Sequence, residues 1–330
     1  MDKIFEDANR IFLENFPNEA HFERAIFFSW HCSIRDCAYC YMSTQPKLSR
    51  TGNIARRSSE SLIAELIICK KMGWEIGFIS GGVGAFNKDD FRKLLEQMHT
   101  ATGEKFWINV GALDKDALKE YLPYIKGVVG SIETVNEKLH MKVCPSKPAE
   151  PYFRMFDEAK KLGLNNAITI IVGLGESIDD FENLKKIVER YDVSKIHIYG
   201  LNPHRGTVYE NSPAPTKECQ AEWIARTRIE FPKLDIQFGI WEDRPEYTSF
   251  LLKAGANSIS KYPALKEFNS ESAKEIERQV KLSGRKFVGT LTEMPDVDWD
   301  SEVDSLNLED SLKEKIKLKV WQYVNQMKKN

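Results

Sequence analysis

The hydrophobic and polar positions of this chain switch repeatedly between the period of a helix and that of a strand. Residues 2–16 place Ile4, Phe5, Ala8, Ile11 and Phe12 on one stripe, which predicts an amphipathic helix. A strand is predicted over Arg24–Ser29, followed by a cysteine-bearing loop at 31–43. Ser58 and Ser59 suit the cap of a helix that runs through Met72 and stops before Gly73. Further strands are predicted near 75–79, 105–110, 126–131, 166–172, 194–199, 234–239 and 256–259. Helices alternate with them near 88–100, 114–122, 150–162, 177–190, 216–230, 243–253 and 270–283.

Several strands are short continuous apolar runs, such as Ile168-Thr169-Ile170-Ile171-Val172 and Gly127-Val128-Val129. Burial on both faces produces that pattern, as in a parallel sheet covered by helices. Eight βα units between residues 21 and 283 predict an α/β fold closed as a (β/α)8 barrel of the TIM type. A partial barrel of six strands, decorated by the last two units, is the competing arrangement. The chain divides into an N-terminal helix within 1–20, the barrel at 21–283 and a C-terminal extension at 284–330 with a Lys-rich helix from about Ser311. A barrel of this kind holds its active site in the loops at the C-terminal ends of the strands, so motifs in those loops converge in space.

With 42% hydrophobic and 29% charged residues in 330, the composition is that of an ordinary globular protein. Lys plus Arg (47) nearly balances Asp plus Glu (49), which argues against a broad nucleic-acid footprint. No apolar run approaches the roughly 18 residues of a membrane span. The start Met1-Asp2-Lys3-Ile4-Phe5-Glu6-Asp7 lacks the basic and apolar blocks of a signal peptide. A cytoplasmic location, with neither nucleic acid nor membrane as partner, is the expectation.

Chemistry concentrates in one segment, Trp30-His31-Cys32-Ser33-Ile34-Arg35-Asp36-Cys37-Ala38-Tyr39-Cys40-Tyr41. Three of the six cysteines lie here, spaced C-x4-C-x2-C, directly after the first strand. Three thiolates so close can share one metal centre. A 4Fe–4S cluster held by only three cysteines keeps one iron open to an external chelator. Zinc is the competing metal, but a structural zinc site wants four closed ligands, and Cys69, Cys144 and Cys219 supply no second pair. A purely structural role for the cysteines is the third reading.

The loop resembles the cluster loop of radical S-adenosylmethionine (SAM) enzymes, with one residue more than their usual C-x3-C-x2-C. The resemblance implies that Cys32, Cys37 and Cys40 bind one 4Fe–4S cluster and that the Tyr39 ring meets the adenine of SAM. Gly81 and Gly82, in Ile79-Ser80-Gly81-Gly82, resemble the family's stretch that meets the methionine amino group. Ser131-Ile132-Glu133-Thr134 resembles a Glu-Thr stretch of the branch that includes biotin synthase and the hydrogenase maturase HydE, where the acid contacts SAM. By the same resemblance Arg154 takes the SAM carboxylate, and Ser131 and Ile171 also contact the cofactor. Gly173-Leu174-Gly175 is similar to the branch's Gly-Leu-Pro-Gly turn without its Pro, and is too fragmentary for a dinucleotide fingerprint. Asn202-Pro203-His204-Arg205-Gly206-Thr207 and Ala254-Gly255-Ala256-Asn257 resemble two further stretches of that branch.

The resemblance implies reductive cleavage of SAM to methionine and a 5′-deoxyadenosyl radical that abstracts hydrogen from a small molecule. The electron donor would be a ferredoxin or flavodoxin. Asn202, His204, Arg205, Trp241 and Glu242, in loops after the late strands, are candidates for the substrate wall. The widened cysteine gap, the HydE-like layout and the lack of cysteine in 284–330 point within the superfamily to the HmdB-type subgroup of iron-guanylylpyridinol cofactor synthesis. A methylornithine synthase-like mutase or a biotin synthase-like sulfur insertion are the alternatives; the latter usually consumes a second cluster, for which clustered cysteines are lacking.

Overall fold

The computed structural model describes residues 3–44 and 56–329. Its strands are β1 (Glu19–Ser29), β2 (Glu75–Gly81), β3 (Phe106–Asn109), β4 (Ile125–Glu133), β5 (Asn165–Val172), β6 (Val193–Gly200), β7 (Asp235–Gly239), β8 (Ser258–Ser260) and β9 (Lys286–Val288). All their pairings are parallel, and β1 to β8 follow one another in sequence order until β1 pairs with both β8 and β2. The sheet therefore closes as an eight-stranded barrel, with helices outside. The open six-strand alternative does not form.

The apolar runs explain this arrangement. Ile168 and Ile170 of β5, Ile196 and Ile198 of β6, and Val128 of β4 are all buried in one core. The helices cover the sheet with amphipathic stripes, such as Phe91, Leu94, Leu95 and Met98 on the helix Lys88–Thr102. β1 begins at Glu19 rather than near Arg24 because Glu19–His21 pair with β9 and His21–Phe22 with β8. Three elements escape the periodicity through shortness: β9 and the helices Glu137–Val143 and Trp299–Asp304. The helix expected over 243–253 opens as a 3-10 turn, Pro245–Tyr247, before Thr248–Lys253.

The helix Lys3–Asn15 packs against the helices Lys217–Glu230 and Thr248–Lys253. Phe12 lies under the Arg285 guanidinium at 3.5 Å, and Arg228 stands 4.6 Å over Phe16. Both arginines are buried; Arg228 donates to the Gly255 carbonyl (2.9 Å) and to Asn257 Oδ1 (2.5 Å). A Cβ on Gly255 would come 2.7 Å from Arg228 Cγ. The Ala-Gly-Ala-Asn stretch is thus a packing device far from the loops that carry chemistry. Farther in, Lys195 bridges Glu23 and Asp235, each at 2.7 Å.

The C-terminal helix Asp310–Met327 packs outside, on the helix Ser59–Lys71. Tyr323 receives Arg57 Nη2 at 2.9 Å and lies 2.6 Å from Ser61 Oγ. Among the described residues no helix is long and apolar enough to cross a membrane.

Candidate functional site

At the C-terminal end of the strands lies a cavity of about 440 Å³. Its wall includes Tyr39, Cys40, Ser131, Glu133, Ile171, Asn202, His204 and Trp241, eight residues that the sequence motifs single out, drawn from loops or strand ends all around the barrel. Aromatic rings of Phe27, Trp30, Phe78 and Tyr199 complete much of the surface.

The cysteine loop leaves β1 and is fastened at three backbone points. Ser33 N donates to Val83 O, Ala38 N to Val143 O and Val208 N to Ala38 O, at 2.8 to 3.0 Å. Within the first gap Arg35 is left-handed (φ 56°), and its Nε donates to the Cys32 carbonyl at 2.7 Å. Cys40 faces the cavity, and burial pushes its thiol up to about 11. Cys37 is buried, and its sulfur accepts a hydrogen bond from Cys144, which draws its pKa down. Among the described residues no three His, Cys, Asp or Glu side chains converge on a single point. The donor chemistry still fits the implied cluster: three thiols on one anchored loop, one of them opening on the cavity.

Gly81 and Gly82 lie behind this loop rather than on the cavity wall. A Cβ on Gly82 would overlap the His31 carbonyl oxygen and sit 2.7 Å from Cys32 Cβ; one on Gly81 would enter the Phe28 ring. Gly82→Ala is expected to cost about 1–3 kcal/mol, or to push the Cys32 backbone out of place. Bound iron after anaerobic reconstitution should fall sharply while circular dichroism stays native. Iron content equal to wild type would show that the loop tolerates the displacement.

Glu133 ends β4 in the left-handed region, φ 68°, with its carboxylate buried. Lys147 Nζ donates to its Oε1 at 2.5 Å. Burial works against the lysine's charge, but Glu133 and then Cys144 outweigh it and hold the ammonium charged. His140 fixes the two segments together, with Nδ1 2.8 Å from the Ile132 carbonyl oxygen and Nε2 2.7 Å from that of Lys147. Ser131 Oγ donates to Asn109 Oδ1 at 2.9 Å. Asn202 Oδ1 accepts from the buried Arg244 at 2.8 Å, and the Tyr41 and His204 rings meet edge to face with centroids 5.7 Å apart. In Gly173-Leu174-Gly175 the backbone N–H groups converge on an anion, the turn's own Glu176 carboxylate, at 2.6 to 3.1 Å.

Besides Gly81, Gly82, Cys32 and Cys37, three further expected site residues lie off the cavity wall: Arg154, Arg205 and Glu242. Arg154 lies on the helix Glu150–Lys161, whose buried stripe is Tyr152, Met155, Phe156 and Ala159. It therefore points outward, 67% exposed, paired with Glu150 one turn away. The cation beside Glu133 is Lys147, and the one on the cavity wall is Lys261. Arg205 and Glu242 are exposed at turns outside the wall, next to His204 and Trp241, which do line it. Lys147, His140, Arg244 and Lys261 escaped the sequence analysis, and the bond of Cys144 to Cys37 was not visible in it.

The profile of the radical SAM superfamily matches residues 28–188, from the end of β1 through the cysteine loop, Glu133 and the Gly-Leu-Gly turn. The chain belongs to the radical SAM superfamily. Relatives extend along the sequence. An uncharacterized protein of Methanocaldococcus jannaschii is 34% identical over 99% of this chain and 96% of its own length. A biotin synthase of Methanococcus maripaludis is 26% identical over 52% of this chain and 53% of its own length. Crystalline methylornithine synthase, PylB, shares the fold, with a TM-score of 0.73 and 19% identity over 86% of this chain and 88% of that one. Membership of this superfamily implies a 4Fe–4S cluster and SAM, and makes the chain a radical SAM enzyme.

Proposed function

We propose that Cys32, Cys37 and Cys40 hold the 4Fe–4S cluster, that SAM binds between this loop and the ends of β4 and β5, and that a small molecule is the substrate in the central cavity. The observation that carries the reading is the convergence of Cys40, Tyr39, Ser131, Glu133 and Ile171 on one cavity at the open end of a closed barrel. Held by Cys32, Cys37 and Cys40, a cluster would supply the electron for reductive cleavage of SAM, and the resulting radical would take hydrogen from the substrate. The chain's own residues position and exclude. Tyr39 offers a ring to the adenine, Glu133 a fixed carboxylate, and Asn202, His204 and Trp241 close the far side. The aromatic walls keep water from a reactive intermediate.

The pathway reading is synthesis of the iron-guanylylpyridinol cofactor, supported by the widened cysteine gap and the absence of cysteine from residues 284–330. A ferredoxin or flavodoxin is the electron donor in this reading. Anaerobically reconstituted protein should be brown and, with SAM and dithionite, should release methionine and 5′-deoxyadenosine. The yield should rise with pyridinol precursors of that cofactor and not with the substrates of biotin synthase or methylornithine synthase. A colourless, zinc-loaded protein that leaves SAM intact would overturn the cluster assignment. A response to one of the other two substrates alone would overturn the pathway.

A further inference from the structure

Among the described residues the wall of the central cavity carries a lysine that the reading above leaves unused. Lys261 directly follows β8 and lines the cavity. Its backbone is left-handed, φ 69°, a conformation that a residue with a side chain keeps only where its surroundings impose it. Gly239 on β7 clears the space for its stem, since a Cβ there would stand 3.1 Å from Lys261 Cγ and 2.8 Å from Tyr199 Cδ1. The ammonium lies over two rings, 4.7 Å from the centroid of Tyr199 and 5.3 Å from that of Phe78.

Other buried cations of the barrel have oxygen partners. Lys195 has Glu23 and Asp235, Lys147 has Glu133, Arg57 has Glu65, and Arg228 has carbonyls. Among the described residues Lys261 makes no hydrogen bond and no ion pair. The nearby acid, Glu133, is already engaged by Lys147. Burial lowers the Lys261 pKa to about 8, the sign of a cation short of compensation.

A second donor stands beside it. Ile240 N donates to Ser260 O at 2.9 Å, so Trp241 and Lys261 are the next residues on adjoining strand ends. Trp241 lines the same cavity, and among the described residues its buried indole N–H has no acceptor. Two unsatisfied donors, one of them charged, on a wall of aromatic rings call for a group with two acceptor oxygens and one negative charge. A phosphate dianion would find too few donors on such an apolar wall.

We propose that Lys261, with the indole N–H of Trp241, anchors a carboxylate of the substrate, so that the substrate is an anionic small molecule with an apolar or aromatic body. This rests on the cavity being the substrate site of a radical SAM enzyme. The remaining wall then selects the body: Phe27, Trp30 and Phe78 accept a planar ring, and His204, its charged form disfavoured by burial, adds no second cation.

Benzoate and benzamide test the proposal, because they share a ring and differ in charge. Each is titrated into anaerobically reconstituted, SAM-loaded protein and followed by calorimetry or ligand-observed NMR. Benzoate should bind wild type at least about tenfold more tightly than benzamide. Lys261→Met should erase that preference, and Lys261→Arg should keep part of it. Trp241→Phe should weaken benzoate by a smaller factor. Should Lys261→Met fail to fold, Lys261→Gln takes its place. Equal binding of the two probes to wild type, or a preference that survives in the Met or Gln variant, would overturn the proposal. So would a variant that loses SAM affinity but keeps the benzoate preference, which would assign the lysine to SAM. Failure of the cluster reading shows separately, as wild-type protein without iron or SAM cleavage, while the two probes still decide the role of Lys261 on that same sample.

Discussion

Replacing any one of Cys32, Cys37 or Cys40 by Ala should abolish the cluster, leaving iron and sulfide at background after anaerobic reconstitution and no cleavage of SAM. With three ligands the cluster already has an open iron, so a further loss leaves two ligands on one loop. Cys69→Ala and Cys219→Ala should reconstitute like wild type. Cys69 is sealed inside the helix Ser59–Lys71, where burial raises its pKa, and Cys219 is exposed at the start of the helix Lys217–Glu230. Cys144 is the informative control, because it hydrogen-bonds Cys37 without belonging to the loop. Its Ala variant should keep iron. Loss of iron in Cys144→Ala together with retention in Cys32→Ala would overturn the ligand assignment.

Features that repeat along the chain were legible in the sequence. The apolar runs of β4 to β6 and the amphipathic helices between them identify the closed barrel, because each unit's pattern reports its own burial. The cysteine loop was legible for the same reason, since its three cysteines lie within nine residues, 32 to 40. What was hidden depends on closure. Glu133 and Lys147 are 14 residues apart, and Lys195 meets Glu23 across 172. A lysine seen alone in sequence reads as solvated surface. Only the ring of strands turns Lys147, Lys195 and Lys261 inward. Arg154 shows the converse. Its place between motifs suggested a ligand, whereas the helical stripe Tyr152-Met155-Phe156-Ala159, already visible in the sequence, directs it to solvent. Local periodicity was the better guide there. Gly82 and Gly255 were legible as backbone approaches, but what approaches them is their own chain: the His31 carbonyl and the Arg228 stem.

Lys147→Met should destabilise the protein by about 3–5 kcal/mol, because it strands the Glu133 carboxylate without its cation. Both side chains are almost wholly buried, 9% and 5% exposed, so solvent cannot take over the lost contact. The change is measured as a shift of the urea midpoint at constant slope. Adding Glu133→Gln to Lys147→Met removes the stranded charge and should recover most of that stability, as replacement of a whole buried pair often does. Recovery in the double variant would show that the pair is a local structural unit. SAM affinity separates this role from a functional one. If the Glu133 carboxylate contacts SAM, the double variant regains stability and still binds SAM poorly. Wild-type SAM affinity in the restored double variant would reduce Glu133 to a structural partner of Lys147. A single-variant cost below about 1 kcal/mol, the range of surface pairs, would mean that water reaches the carboxylate. The left-handed backbone at Glu133 and the His140 bridge to the Lys147 carbonyl favour the larger effect, since both hold the two charges where neither can turn away to solvent.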